Sequence, residues 1–371
     1  MIKQSKQGEI NQIIKITDEI KGVKIEMTAK IEELRELLLP YAECGDEKEF
    51  AQMLAEKLAK YTDDENITVD RMNNVTALIG DKMKKTILLE AHYDEISAIV
   101  SDISEEGFLR IAKVGGIDRR CLLSSEISVN DLDGIFCSVP PHLLKKEDAG
   151  KVPEFKDLYI DMGLNVEDVR KKVKIGDRIY FKTSVTELLN GRVSGRALDN
   201  KISVYAILVA LKKLKKHIKN KELGCSIAVL FSTQEELGSR GARTGSYQLE
   251  PDEALVLDVT FAKQPDVTSQ IMGEGIVIER STHFDRNLVR SLVSIAKKKE
   301  IKYQTNAEAI SGGTDASAIH VSGSGVPTVL LSIPIRYMHT PIETGDINDV
   351  ESAADLMAEY IKTYKISEDR G

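Results

Sequence analysis

Cysteine is sparse, basic residues are outnumbered and no long apolar run occurs, and each shortage closes off a class of protein. The four cysteines, Cys44, Cys121, Cys137 and Cys225, lack both the close pairing of a zinc knuckle and the density of a secreted disulfide scaffold. They read as mostly buried thiols in a reducing compartment. Lys and Arg number 51 against 59 Asp and Glu, a formal charge of -8. That balance favours solubility and excludes the clustered basic surface that a nucleic-acid partner requires. The charged, interrupted stretch at residues 1–22 fits neither a signal peptide nor a membrane anchor, so a cytoplasmic protein with no membrane partner is expected. There is no internal repeat, no low-complexity segment, no G-x-G-x-x-G after a first strand, no Walker lysine loop and no G-x-S-x-G elbow. Nucleotide binding and serine hydrolysis therefore have no support.

What is present is a folded composition, 42% apolar and 30% charged, on a chain of 371 residues. A single core stops growing near roughly 250 to 300 residues, so two domains are expected. From about Ile10 to Leu58 apolar residues recur at helical spacing among Lys and Glu. NVTALIG and KTILLEAHYDEISAIV then read as strands, and short strands with Gly and Asp turns continue to about Val185, the rhythm of a small β-barrel. After it, helical and strand patterns alternate, which predicts an α/β layer with a largely parallel sheet. The strand ending at HYDE finds its partners only after residue 190, so the expected fold class is an α/β domain interrupted by an inserted β-barrel. The divisions are a first segment at 1–96, the barrel at 97–185 and a second segment at 186–371.

The polar residues beside those strands suit a hydrolytic metal centre, which needs oxygen and imidazole ligands from several elements and a nearby base. His92 and Asp94, two apart at a strand end, project to one face, so one can bind a metal while the other orients the imidazole. Glu235 and Glu236 follow the apolar run VLFS on a strand-end loop, where neighbours point different ways. Asp258 ends the apolar run EALVLDVT, and His339 follows VLLSIPIRYM. These positions lie along the edge where open α/β sheets carry their sites. Asp199 opens a long helix, and capping and metal bridging both suit it. Gly312 and Gly313, in SGGTDAS, offer backbone donors to a substrate carbonyl, although a plain turn before an Asp cap explains the loop as well. His142, His217, His283 and His320 lack an acidic partner at a strand end and read as surface or structural.

Taken in order, AHYDEI, VGGIDRR, SVPPHLL, GRVSGRALDNK, STQEELGSRGA, VLDVT, GGTDASAIH and IPIRYMHTPIE resemble the M42 metallo-aminopeptidases, also called tetrahedral or TET aminopeptidases. The resemblance covers about residues 85 to 345. It implies a zinc-peptidase-like α/β/α sandwich whose inserted PDZ-like barrel mediates dimerisation, and many members build a tetrahedral dodecamer from six dimers. It implies two divalent cations, zinc or cobalt, with His92, Glu236, Asp258 and His339 as ligands and Asp199 as their bridge. Glu235 becomes the general base, Asp94 the partner of His92, and the Asp199–Asn200 bond can be cis. Short peptides are the implied substrates, cut at the N-terminus. The chain departs from the family in an N-terminal extension to about Ala29, in YAECGDEKEF, in Ser97 and in VGGIDRR. Two rivals stand beside this reading: an endoglucanase-like glycosidase, which needs no metal, and a non-catalytic oligomeric scaffold.

Overall fold

The computed structural model describes residues 25–364, apart from 82, 149, 268, 310 and 311. Most of the N-terminal extension, and the first part of the helical pattern beginning near Ile10, thus lies outside the described residues. Helix α1 occupies 25–38 and α2 Lys48–Leu58. The strands β1 (Ile67–Val69), β2 (Val75–Ile79) and β3 (Thr86–His92) follow. After β3 the chain leaves its sheet and returns only beyond residue 190.

Between those points six strands close into a barrel: β4 (Ser97–Ile103), β5 (Leu109–Val114), β6 (Glu126–Val129), β7 (Leu132–Cys137), β8 (Tyr159–Asp161) and β9 (Arg178–Phe181), in the order β4-β5-β8-β7-β6-β9. A short helix, α3 (Val166–Lys172), is capped by Asn165. Inward residues such as Val100, Ile127, Phe136 and Ile179 are fully buried or nearly so and form a hydrophobic cluster of their own, separate from the main core. Alternation of these with exposed polar neighbours is what a small closed barrel requires.

The remainder is an α/β layer. Its strands are β12 (Ser226–Ser232), β13 (Glu253–Phe261), β14 (Ile276–Arg280), β15 (Tyr303–Ala307) and β16 (Thr328–Ile335). With β1 to β3 they make an eight-stranded sheet, β1-β2-β12-β3-β13-β16-β14-β15. The central run β12-β3-β13-β16 is parallel and the flanking β2 and β14 pair with it antiparallel. Every residue of β12 and β16 is buried, as expected of strands covered on both faces. The covering helices are α4 (Leu198–Lys219), α5 (Arg240–Leu249), α6 (Arg286–Lys298), α7 (Ala316–Ile319) and α8 (Ile347–Thr363). Helix α4 lies on β3 and β13 and packs against α8, while α5 and α7 contact each other and cover β12 and β16. A small antiparallel sheet, β10 (Thr186–Glu187), β11 (Arg192–Gly195) and β17 (Glu343–Asp346), carries the chain back from the barrel. Cys44 and Cys225 are buried, Cys121 and Cys137 half-buried, and all four are free thiols. No described helix is long and apolar enough to cross a membrane.

Candidate metal centre

The parallel strands end side by side, and the polar residues of the chain collect over that edge. His92 is the last residue of β3, at the register position of Ser232 on β12. Glu235 and Glu236 sit in the loop after β12, and His339 lies beyond the end of β16. Asp258 differs from expectation: it lies inside β13, which continues to Phe261, opposite Ser332. Its apolar run ends in sequence, but the ladder to β16 extends the strand past it. Asp199 also departs from a capping role. Its backbone is non-helical, and the regular part of α4 begins after Asn200. The Asp199–Asn200 peptide is cis.

Freed from capping, the Asp199 carboxylate stands between two imidazoles. Its Oδ1 is 3.3 Å from His92 Nε2 and its Oδ2 3.3 Å from His339 Nε2. On one side Asp258 Oδ1 is 3.8 Å from His92 Nε2, and on the other Glu236 Oε1 is 3.4 Å from His339 Nε2. Two donor sets result, His92/Asp199/Asp258 and Asp199/Glu236/His339, each with its atoms within 4.8 Å of one another. Ligands about 2.0 to 2.2 Å from a tetrahedral cation stand about 3.3 to 3.6 Å apart, so these separations fit divalent cations of the N/O-binding kind. Glu235 Oε2 is 4.0 Å from His92 Nε2, near the first set but outside it.

Electrostatics make the same fit. Burial, with other carboxylates close by, pushes Glu235 up to about 10, Glu236 up to about 7 and Asp258 up to about 6. Burial would raise Asp199 too, but its hydrogen bonds to His339 and His92 outweigh this and hold it well below the usual carboxylate range. His339 is raised to about 9, chiefly by Asp199. Burial opposes the charged form of His92, yet Asp199, Asp258 and Asp94 together raise it well above the ordinary imidazole range. Buried carboxylates crowded in this way are neutralised by bound protons or by cations, and no described residue lining their cavity is Lys or Arg.

Supporting residues surround the donors. Asp94 Oδ1 is 3.4 Å from His92 Nδ1 and accepts the Glu235 N–H at 3.0 Å, while its Oδ2 accepts from Glu236 N–H and Cys44 Sγ. Gly312 and Gly313 line the same cavity. Asp315, expected as a cap, makes no cap bond; its Oδ2 instead lies 2.7 Å from Ser232 Oγ, which is 2.6 Å from Glu90 Oε1. That buried cluster ties the glycine loop to β3 and β12. From the barrel, Gly116 presses against His339: a Cβ there would lie 2.6 Å from Nδ1. Ala197, Gln234, Ser239 and His339 all have positive φ, a concentration of unusual backbone typical of functional sites.

Sequence reasoning missed Glu343, whose carboxylate takes the N–H groups of both Asp199 and His339. Its place four residues after His339 is the only local signal. It also missed the buried Glu95–Arg196–Lys201 network that joins the segment after His92 to the segment before and after Asp199. Of the four histidines set aside, His283 and His320 lie ring to ring at 5.0 Å, away from the donor sets.

A mixed sheet with its acids and imidazoles over the ends of the parallel strands, and a closed barrel spliced in after β3, defines the zinc-peptidase-like α/β/α class. Comparison narrows this: the M42 glutamyl aminopeptidase family model matches residues 73–356, and the chain belongs to that family. A Pyrococcus furiosus lysyl aminopeptidase is 30% identical over 312 residues, covering 81% of this chain and 88% of its own. The TET aminopeptidase of a marine-sediment Thaumarchaeota archaeon superposes with a TM-score of 0.85 at 30% identity, covering 91% of this chain and 98% of its own. A Pyrococcus horikoshii TET1 peptidase, described as assembling into a tetrahedron or a large octahedral shell, gives 0.78 at 32% identity, with 91% and 100% covered. A Thermotoga maritima protein described as an endoglucanase gives 0.71 at 26% identity, with 89% and 96% covered.

Proposed function

We propose that this protein is a dinuclear metallo-aminopeptidase that removes N-terminal residues from short peptides. The observation that carries the reading is the Asp199 carboxylate, each oxygen of which faces a different histidine at 3.3 Å. His92 and Asp258 complete one donor set and Glu236 and His339 the other, for zinc or cobalt. When bound, the cation pair supplies Lewis acidity and lowers the pKa of water toward neutrality. Glu235 is the general base. Its carboxylate takes a proton from the attacking water as the C–O bond forms, then delivers it to the nitrogen as the C–N bond breaks. The pKa near 10 that burial and acidic neighbours impose on Glu235 falls when cations neutralise those neighbours, which leaves it ionised for that work. Gly312 and Gly313 present backbone N–H groups to the substrate carbonyl. Asp94 fixes the ring of His92 and the backbone of both glutamates.

In the same reading the α/β layer is the catalytic domain in two segments, 1–96 and 186–371, and the barrel at 97–185 is the dimerisation domain. The protein is a cytoplasmic homo-oligomer, assembled as a tetrahedral dodecamer. One rival has a specific observation behind it, the resemblance to a protein described as an endoglucanase. A carboxylate pair hydrolysing a glycoside has no use for two imidazoles and a bridging acid. The deciding experiment is a panel of aminoacyl-p-nitroanilides after chelation and re-addition of zinc or cobalt. Activity lost on chelation and restored by metal is expected. Chelator-resistant cleavage of a glucan, or no aminoacyl hydrolysis with either metal, overturns the proposal.

A further inference from the structure

The preferred N-terminal residue follows from the far wall of the cavity, an inference that rests on the aminopeptidase reading. Strand register puts a polar row on one sheet face. Asp258 on β13 pairs with Ser332 on β16, and Ser332 pairs with Val277 on β14. Glu279 is two residues from Val277 and therefore faces the same way, and its own register partner is Asn306 on β15. Two strand spacings and a two-residue step along β14, roughly 12 Å in all, thus separate the Asp258 position from that of Glu279. Glu279 and Glu308 line the cavity that also contains the donor sets.

The chemistry of this end of the cavity is one-sided. Glu279 is buried, only 6% exposed, and Glu308 beside it is exposed. Burial pushes the Glu279 carboxyl up, bonds to Ser332 and Asn306 hold it down, and Glu308 adds to the rise. Among the described lining residues there is no Lys or Arg to answer the two acids. Arg280, the next residue in the chain, lines a separate groove beside α6. The apolar side chains of Leu330, Met338 and Phe261 line the same cavity. A methylene stem suits such a lining, and a cation at its tip suits the acids.

We infer that Glu279 and Glu308 form the specificity wall for the N-terminal side chain and select a basic one, lysine or arginine. With the substrate α-amine at the metal end, the long stem of lysine bridges the gap to Glu279, which a short side chain leaves empty. An acidic side chain meets two like charges and is rejected.

The test uses the full chain with metal restored and compares lysyl-, norleucyl-, leucyl- and glutamyl-p-nitroanilide. Norleucine keeps the unbranched stem and lacks the charge, so the lysyl-to-norleucyl ratio of kcat/KM isolates the acidic wall. A ratio of about tenfold or more is expected, with glutamyl cleaved slowest. Glu279→Gln and Glu308→Lys should each lower that ratio, and Glu308→Lys should raise the glutamyl rate relative to the lysyl rate. Because Glu308 is exposed, its variant carries the test if Glu279→Gln fails to fold. A wild-type ratio near one alongside brisk leucyl cleavage, or a ratio unmoved by Glu308→Lys, overturns the inference and leaves the aminopeptidase reading standing. No hydrolysis of any member of the panel removes both.

Discussion

Glu343 Oε2 accepts the backbone N–H of Asp199 at 2.9 Å, and its other carboxylate oxygen accepts the N–H of His339 at 2.8 Å. One buried side chain, four residues from His339 but 144 from Asp199, therefore holds the backbone under two members of the second donor set. Glutamine at this position has the same size but a single carbonyl oxygen, so one N–H would face an amide NH2 group. For Glu343→Gln we expect metal affinity to fall roughly ten- to hundredfold, the usual effect of disturbing a group that orients ligands. Competition with a chromophoric chelator measures it. Affinity equal to wild type would remove Glu343 from any positioning role.

Gly116 offers a steric test of the same set. Its φ is ordinary, so a methyl group costs nothing in the backbone, yet the added Cβ would stand 2.6 Å from Nδ1 of His339. His339 must rotate or shift, and the separation of its Nε2 from Asp199 and Glu236 grows. Gly116→Ala is expected to weaken metal at the His339 set more than at the His92 set. Substoichiometric metal after dialysis, near one cation per chain by elemental analysis, is the predicted reading. Two retained cations would show that His339 tolerates displacement.

A separate prediction concerns stability. Asp349 of α8 is buried, and although it accepts N–H bonds from Gly273 and Gly275, burial pushes its carboxyl up to about 7 from 3.8. Between those values the folded chain keeps a proton that the unfolded chain has released. The contribution of Asp349 to stability is therefore greatest below the unfolded pKa and declines as pH rises, levelling off above about 7. Asp349→Asn removes this one component, so the difference in melting temperature between variant and wild type should change between about pH 5 and pH 7.5. A difference independent of pH would contradict the assignment.

Much of this was legible in the chain because it is local. The buried runs of β3, β12 and β16 announce themselves, and His92, Glu235, Glu236 and His339 stand where those runs give out. Short turns and alternation reveal the barrel. Asp258 was misplaced within its strand because the ladder to β16, which the apolar run does not record, carries β13 beyond it. Asp199 was ambiguous because capping and bridging ask for the same residue at a helix start, and only the positions of His92 and His339 separate them. Glu343, Glu95 with its Arg196 and Lys201 partners, and Glu279 owe their roles to contacts between segments distant in sequence. No spacing rule reaches such pairs.

In the proposed reaction Glu235 moves the proton while the neighbouring donors hold the cations. Replacing Glu235 by glutamine and measuring aminoacyl-p-nitroanilide turnover together with metal content separates the two roles. Turnover should fall about 10²- to 10⁴-fold with both cations retained. Activity within a few-fold of wild type at full metal content would contradict it.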